Sequence, residues 1–298
     1  TTLLRLMLDQ NTNLSCPGEA DFIFDYGNLD SDATSNRNHD KLSRDRIFRS
    51  YCDNAGIDPT EPRSMTELVA TMAGRQGETS QAAVLMLHRN LSLIRAQMPK
   101  MKILHLIRDP RDVARSSIKM GWAESTFYGV RHWINTEQEW ATMTTHMAPE
   151  QVLEVKYETL IEEPEKTLAK ICLFFGVPFQ ASMLEYDENS TYSKPDTAMI
   201  YQWRRKQTPL EIGLVEAQAE PLMRALGYKP SSHQHVHPGA LGRLALAIRH
   251  RRATWSTRIK RFGLKDSILV VVSRRLMLPA LGHAAQDRID EKTVNYLK

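Results

Sequence analysis

The segment Ile103 to Ser117, I-L-H-L-I-R-D-P-R-D-V-A-R-S-S, constrains the fold more than any other part of the chain. Lys102 to Ile107 carries Ile and Leu on both faces, the pattern of a short strand inside a parallel sheet. Asp109 then supplies an N-cap oxygen, and Pro110 suits the first helical position, where a missing N–H has no partner to lose. Asp112 falls where the acid of a capping box would sit. A strand that becomes a helix within two residues is the joint of a β–α unit, and it commits the chain to stacked sheet and helix layers. The open N–H groups and positive dipole end of such a helix attract an anion, to which Arg108, the last strand residue, can add a bidentate fork. Ser116 lies two turns along, on the face shared with Asp109 and Asp112. The structural alternative pairs Arg108 with Asp109 or Asp112 and makes Ser116 a small packing residue.

The remaining sequence repeats this grammar. Asp40 to Ala55 has Leu42, Ile47, Phe48 and Tyr51 at helical spacing, and Ser64-x-x-Glu67 forms a capping box ahead of Leu68, Val69 and Met72. Ser80 to Gln97 reads as a long helix stopped by Pro99. Thr126 to Thr145 places Val130, Trp133, Ile134 and Trp140 on one face, so both tryptophans belong to a core rather than to a substrate platform. Val152 to Tyr157 is a strand, Pro164 opens a helix that ends before Gly176, and 208–226 is a last amphipathic helix before Gly227. This is an α/β chain. The segment from Lys229, K-P-S-S-H-Q-H-V-H-P-G, has the composition of a linker. Its alternate histidines, His233, His235 and His237, could ligate a metal, but in a Ser/Pro/Gly segment they read as solvated.

Composition excludes several classes. With 298 residues, 42% hydrophobic and 25% charged, the chain can bury a full core as one large or two small domains. Cys16, Cys52 and Cys172 are too few and too far apart for a disulfide framework or zinc knuckle. That cysteine usage suits a reducing compartment, and the expectation is a cytoplasmic protein with peripheral membrane association; no apolar run approaches the roughly 18 residues that span a bilayer, and no signal peptide opens the sequence. The beginning, T-T-L-L-R-L-M-L-D, is at helical spacing from the first residue and has no initiator Met, which reads as a chain that starts inside an element. Residues 241–282 hold ten Lys or Arg against one acid, Asp266. That excess exceeds the whole-chain net charge of +4, so the rest of the chain is net negative. Interleaved with Leu244, Leu246, Ile248, Trp255, Ile259 and Phe262, it suits either an anionic membrane surface or a helical appendage with a solvated basic face.

Four segments in order carry a resemblance. I-R-D-P-R-D followed by Ser116 resembles the segment with which sulfotransferases dependent on 3′-phosphoadenosine 5′-phosphosulfate (PAPS) grip the nucleotide 3′-phosphate. T-T-L-L-R-L-M-L-D-Q is similar to the helix after the family's phosphosulfate loop, which makes Thr1 and Thr2 the last residues of that loop. L-E-V-K-Y-E-T-L with the following C-L-F-F-G-V-P-F resembles the family's strand, Y-E-x-L turn and next helix, placing Tyr157 beside the nucleotide. Y-Q-W-R-R-K, Tyr201 to Lys206, resembles the loop that closes over the nucleotide, which adds Trp203 and Arg204. The motifs are also similar to those of tyrosylprotein sulfotransferases, whose catalytic Glu after the first helix corresponds to Glu19; His105 and His132 are weaker base candidates.

The resemblance implies a three-layer P-loop-like parallel sheet flanked by helices over 1–230, followed by a linker and basic helical extension over 231–298. It implies sulfuryl transfer from PAPS to a hydroxyl or amine of a small molecule, glycan or protein, releasing 3′-phosphoadenosine 5′-phosphate (PAP), with no metal and no nucleic acid. Two departures stand out. The first strand and most of the phosphosulfate loop would precede Thr1, so the chain without them is expected to bind PAPS poorly and to show no turnover. G-E-T-S, Gly77 to Ser80, lacks the Lys that relatives often carry there. A P-loop small-molecule kinase would need G-x-x-x-x-G-K-[ST], and a non-catalytic PAP-binding protein would differ only in turnover.

Overall fold

The computed structural model describes residues 2–26, 35–75, 78–79, 82–189, 194–276, 282, 284–290 and 292. Thr1, Gly77 and Ser80 lie outside the described residues. The chain forms two compact units, 1–108 with 135–202 and 109–134 with 203–298. In chain order it runs α1 (Thr2–Asp9), β1 (Leu14–Glu19), α2 (Phe22–Asp25), α3 (Ser35–Leu42), α4 (Arg46–Ala55) and α5 (Met65–Ala73). A small antiparallel pair, β2 (Gly74–Arg75) and β3 (Glu78–Thr79), precedes β4 (Ala82–Met86), α6 (Leu91–Gln97) and β5 (Ile103–Ile107). Then come α7 (Pro110–Lys119), α8 (Thr126–Thr144), β6 (Val152–Lys156), α9 (Tyr157–Glu162) and α10 (Pro164–Phe175). Helices α11 (Trp203–Lys206), α12 (Pro209–Ala225), α13 (Ala240–Phe262) and α14 (Leu264–Arg275) follow, and residues 284–290 are helical as well.

In the first unit the strands separate two cores. Leu3, Leu4, Met7 and Leu8 of α1 pack with Leu160, Leu168 and Ile171 of α9 and α10 in one core. Phe22, Phe48, Leu68, Ile94 and Trp140 form the other. Leu104 and Leu106 of β5 face the first core and Ile103 the second; in β6, Leu153 and Val155 face the first and Val152 the second. Helices on both sides of the strands explain why these strands are apolar on both faces, and they give the three-layer α/β arrangement. Among the described residues, hydrogen bonding joins β1 to β4 and β5 to β6 as two parallel pairs rather than one continuous sheet.

Local rules account for most boundaries. Asp45 is extended, with ψ 130°, and its Oδ1 accepts from the N–H groups of Ile47 at 2.9 Å and Phe48 at 3.0 Å. That cap divides the helix expected over Asp40 to Ala55 into α3 and α4. The Ser64–Glu67 capping box forms as expected, with Ser64 N–H to Glu67 at 2.8 Å and Glu67 N–H to Ser64 Oγ at 3.2 Å. The long helix expected over Ser80 to Gln97 is corrected: the run A-A-V-L-M is β4, Asn90 adopts a left-handed φ of 61°, and only Leu91–Gln97 is helical. A short apolar run satisfies either periodicity, and here pairing with β1 decides it.

Glu19 is the last residue of β1. The β1–β4 register slips between Ser15 and Gly18, a bulge that accommodates Pro17, which has no N–H to give the ladder. Gly18 at φ +103° lies where a side chain would be strained.

Candidate active site

Parallel strands of α/β proteins present ligands at their carboxyl ends, and both parallel pairs here end in polar residues. At the end of β1 and β4, Glu19 is exposed and in register with Met86. Just beyond, Asp21 is 3% exposed and accepts from the His88 N–H at 2.7 Å, with His88 Nδ1 at 3.1 Å. Arg89 binds Asp25 and reaches Asp21 Oδ2 at 3.4 Å, and Asn90 Nδ2 donates to Asp25 at 2.9 Å. Burial works against the Asp21 charge, but the hydrogen bonds from the His88 ring and backbone outweigh it and hold the carboxyl below the usual range. A carboxylate on Nδ1 selects the tautomer whose Nε2 can accept a proton, which is how an oriented general base is built.

Sequence reading missed this pair because 67 residues separate its members. The other histidines weighed as bases differ. His105 is 9% exposed in mid-strand, tilted at 36° against Trp140 with ring centroids 4.1 Å apart, with Glu137 at 3.3 Å and Glu154 at 3.5 Å. His132 is exposed on α8, edge-on to Trp122 at 6.0 Å.

At the end of β5 and β6, Ile107 lies opposite Lys156, so the next residues, Arg108 and Tyr157, come together. The Arg108 guanidinium sits 4.4 Å over the Tyr157 ring and donates to the Met199 carbonyl at 2.9 Å. Stacking on an aromatic face is worth about 0.5–2 kcal/mol and fixes the plane of the guanidinium. Tyr157 itself is buried and opens α9. Thr2, by contrast, belongs to the first turn of α1.

In the second unit the charges after the strand form an internal latch. Asp109, Arg111, Asp112 and Glu216 are all at most 3% exposed. Asp109 caps α7 by accepting from the Arg111 N–H at 2.9 Å, as expected, with Pro110 in the first turn. Its carboxylate also takes the Arg111 guanidinium at 2.9 and 2.6 Å and the Trp203 indole N–H at 3.1 Å. The same guanidinium reaches Glu216 at 2.7 Å and lies 3.7 Å over the Trp203 ring. Burial opposes the Arg111 charge, yet Asp109 and Glu216 outweigh that and raise its pKa.

Asp112 accepts the backbone N–H of Trp203 at 2.8 Å. Trp203 is therefore a buried part of the latch, with the exposed Arg204 5.3 Å over its ring. Tyr201, just before, has a φ of 50°, a strained value for a bulky residue. Ser116 is half-buried on α7.

The segment after α12 is fastened rather than free. Ser231 donates to Glu216 through N–H and Oγ, both at 2.9 Å, and His235 lies 3.5 Å from Glu216 and 3.2 Å from Glu220. A Cβ on Gly213 would fall 2.3 Å from the Gln234 carbonyl, so only glycine admits this contact. His235 is thus engaged by acids, contrary to the expectation of a solvated histidine. Among the described residues, no three His, Cys, Asp or Glu side chains converge to hold a metal.

Known proteins share this fold. The profile described as "Sulfotransferase family" matches residues 1–181. The sulfotransferase domain from the curacin biosynthetic pathway superposes with a TM-score of 0.58 at 15% identity, covering 77% of this chain and 94% of that one. The sulfotransferase domain from the Synechococcus PCC 7002 olefin synthase gives 0.56 at 18% identity, covering 76% and 90%. At such identities the superpositions speak for the fold. A Caenorhabditis elegans protein named "Putative protein-tyrosine sulfotransferase" is 31% identical over 103 residues, 33% of this chain and 40% of that protein. An Aquifex aeolicus (strain VF5) protein named "Uncharacterized protein" is 28% identical over 123 residues, 39% of this chain and 16% of that protein. The matches span less than half the length of these two relatives. Because the profile covers more than half of the chain and the fold is that of solved sulfotransferase domains, the chain belongs to the sulfotransferase family.

Proposed function

We propose that this chain is the sulfuryl-transferring part of a PAPS-dependent enzyme that acts on a hydroxyl or amine acceptor and releases PAP. The observation that carries the reading is Arg108. It directly follows β5, its guanidinium plane is fixed by Tyr157, and it is only half-buried, the disposition suited to a phosphate. PAPS would supply a sulfuryl group already joined to a good leaving phosphate, so the chain's own residues have to bind, orient and remove a proton. Arg108 and Ser116 take the 3′-phosphate. Tyr157 keeps Arg108 oriented, Trp203 and Arg204 contribute from the segment after Tyr201, and Thr2, with Thr1, serves the 5′ end.

The acceptor proton is taken at the carboxyl end of β1 and β4. Glu19 is exposed there and is the first candidate. A second reading assigns the proton to His88, because Asp21 orients its ring. The acceptor is a small molecule, a glycan or a protein; the name of the Caenorhabditis elegans relative puts tyrosine among the groups to test.

The test is calorimetry on the protein expressed from its complete reading frame. A hydrogen bond to a charged group is worth about 1.5–3 kcal/mol, so Arg108→Ala is expected to weaken PAP binding by about 10- to 100-fold. Binding of adenosine 5′-phosphosulfate, which lacks the 3′-phosphate, should hardly change. Equal losses for the two ligands would remove Arg108 from the 3′-phosphate site.

A further inference from the structure

The C-terminal helices expose the wrong side. Among the described residues, seven of the eleven large hydrophobic side chains that stand exposed belong to α13, α14 and the residue that follows them: Leu241, Leu244, Ile248, Leu264, Ile268, Val272 and Leu276. No residue of the 23-residue α13 is buried. At about 100° per residue, Leu241, Leu244, Ile248, Trp255 and Ile259 fall in one narrow stripe. Arg249 and Lys260 flank it on one side and Arg251 and Arg258 on the other.

The opposite, polar side of α13 meets its own unit. The His250 ring stacks on Tyr128 at 4.2 Å, and the Arg261 guanidinium lies 3.4 Å from the place of a Cβ on Gly121. An ordinary surface helix buries its apolar stripe and shows its charges. This one docks through the polar side and leaves Leu241, Leu244 and Ile248 exposed, with Trp255 and Ile259 half-buried.

We infer that α13 and α14 form a docking surface for an anionic lipid bilayer, lying flat in its interface. Charge complementarity favours this occupant. Residues 241–282 carry ten Lys or Arg and one acid, and that acid, Asp266, is bonded to Arg288 at 2.6 Å. The shape favours it as well: the stripe runs along a helix about 35 Å long, and the neighbouring hollow lined by Trp255 and Val271 carries Arg251, Arg258 and Arg275 around it. Helices of this kind sink an apolar face into the headgroup boundary while Arg and Lys reach up to lipid phosphates, and Trp prefers that depth. No helix among the described residues is long and apolar enough to cross a membrane, so the contact is peripheral. The inference does not depend on the sulfotransfer reading.

Flotation of the whole chain with vesicles tests it. Binding is expected to phosphatidylcholine vesicles containing phosphatidylglycerol, not to phosphatidylcholine alone, and to fall as salt rises from about 0.1 to 1 M. Arg249→Gln, Arg251→Gln and Arg252→Gln together should weaken it on the order of 100-fold. Leu244→Asp with Ile248→Asp should weaken it about 10-fold or more without shifting Tm, because both side chains are already in water. Equal binding to neutral vesicles, or a response to the arginine changes alone, would overturn the inference. So would wild type that ignores anionic vesicles but forms a dimer that Leu244→Asp with Ile248→Asp dissolves, which would give the face to a second copy.

Discussion

Arg111→Ala is expected to destabilise the unit formed by 109–134 and 203–298 by about 3–5 kcal/mol, the cost of leaving buried carboxylates without their cation. Asp109 and Glu216 are both inaccessible to solvent, and each accepts from the same guanidinium. The loss should come from unpaired charge rather than from lost packing alone. Arg111→Met combined with Asp109→Asn and Glu216→Gln is therefore expected to recover most of the stability, since no buried charge then lacks a partner. Urea denaturation of the three proteins checks this. A triple variant as unstable as Arg111→Ala would mean that the fixed hydrogen-bond geometry, not the charge balance, holds the latch.

The second large effect concerns the proton of the acceptor. A hydroxyl is a weak nucleophile near neutral pH, and a positioned base is worth about 10²- to 10⁴-fold in rate. Glu19→Gln is expected to lower kcat by that factor while PAP affinity stays nearly intact, because Arg108 is untouched. Glu19 is exposed at a strand end, so the protein should fold and melt normally. His88→Asn is the companion variant. If it shows the large kcat loss and Glu19→Gln does not, the role passes to the Asp21–His88 pair, and Asp21→Asn should then lower kcat by misorienting the ring.

What could be read from the sequence was mostly local. The start of α7 at Asp109 and Pro110, the Ser64–Glu67 box and the end of α10 at Gly176 depend on residues within four positions of one another, and all three formed. The apolar run Ala82 to Met86 was ambiguous because a short segment buried on both faces has no distinguishing period, and only its pairing with β1 resolves it. The bulge that carries Pro17 through β1 was hidden for the same reason.

Long-range pairings were not legible. Arg111 meets Glu216 across 105 positions and Asp21 meets His88 across 67, and no spacing rule connects such residues. Beyond its expected cap, Asp109 holds the Arg111 guanidinium and the Trp203 indole, and Asp112 holds the Trp203 backbone N–H. Arg108 follows β5 directly, and Tyr157 comes under its guanidinium because β5 and β6 are in register.

The central claim is transfer of a sulfuryl group from PAPS. It is tested most directly by incubating the protein, expressed from its complete reading frame, with ³⁵S-labelled PAPS and a set of phenol, tyrosine-peptide and glycan acceptors, counting both products. The account predicts label in one acceptor class, one PAP released for each sulfate transferred, and loss of both in Glu19→Gln or His88→Asn. Intact PAPS alongside transfer of the ATP γ-phosphate to the same acceptors would contradict it.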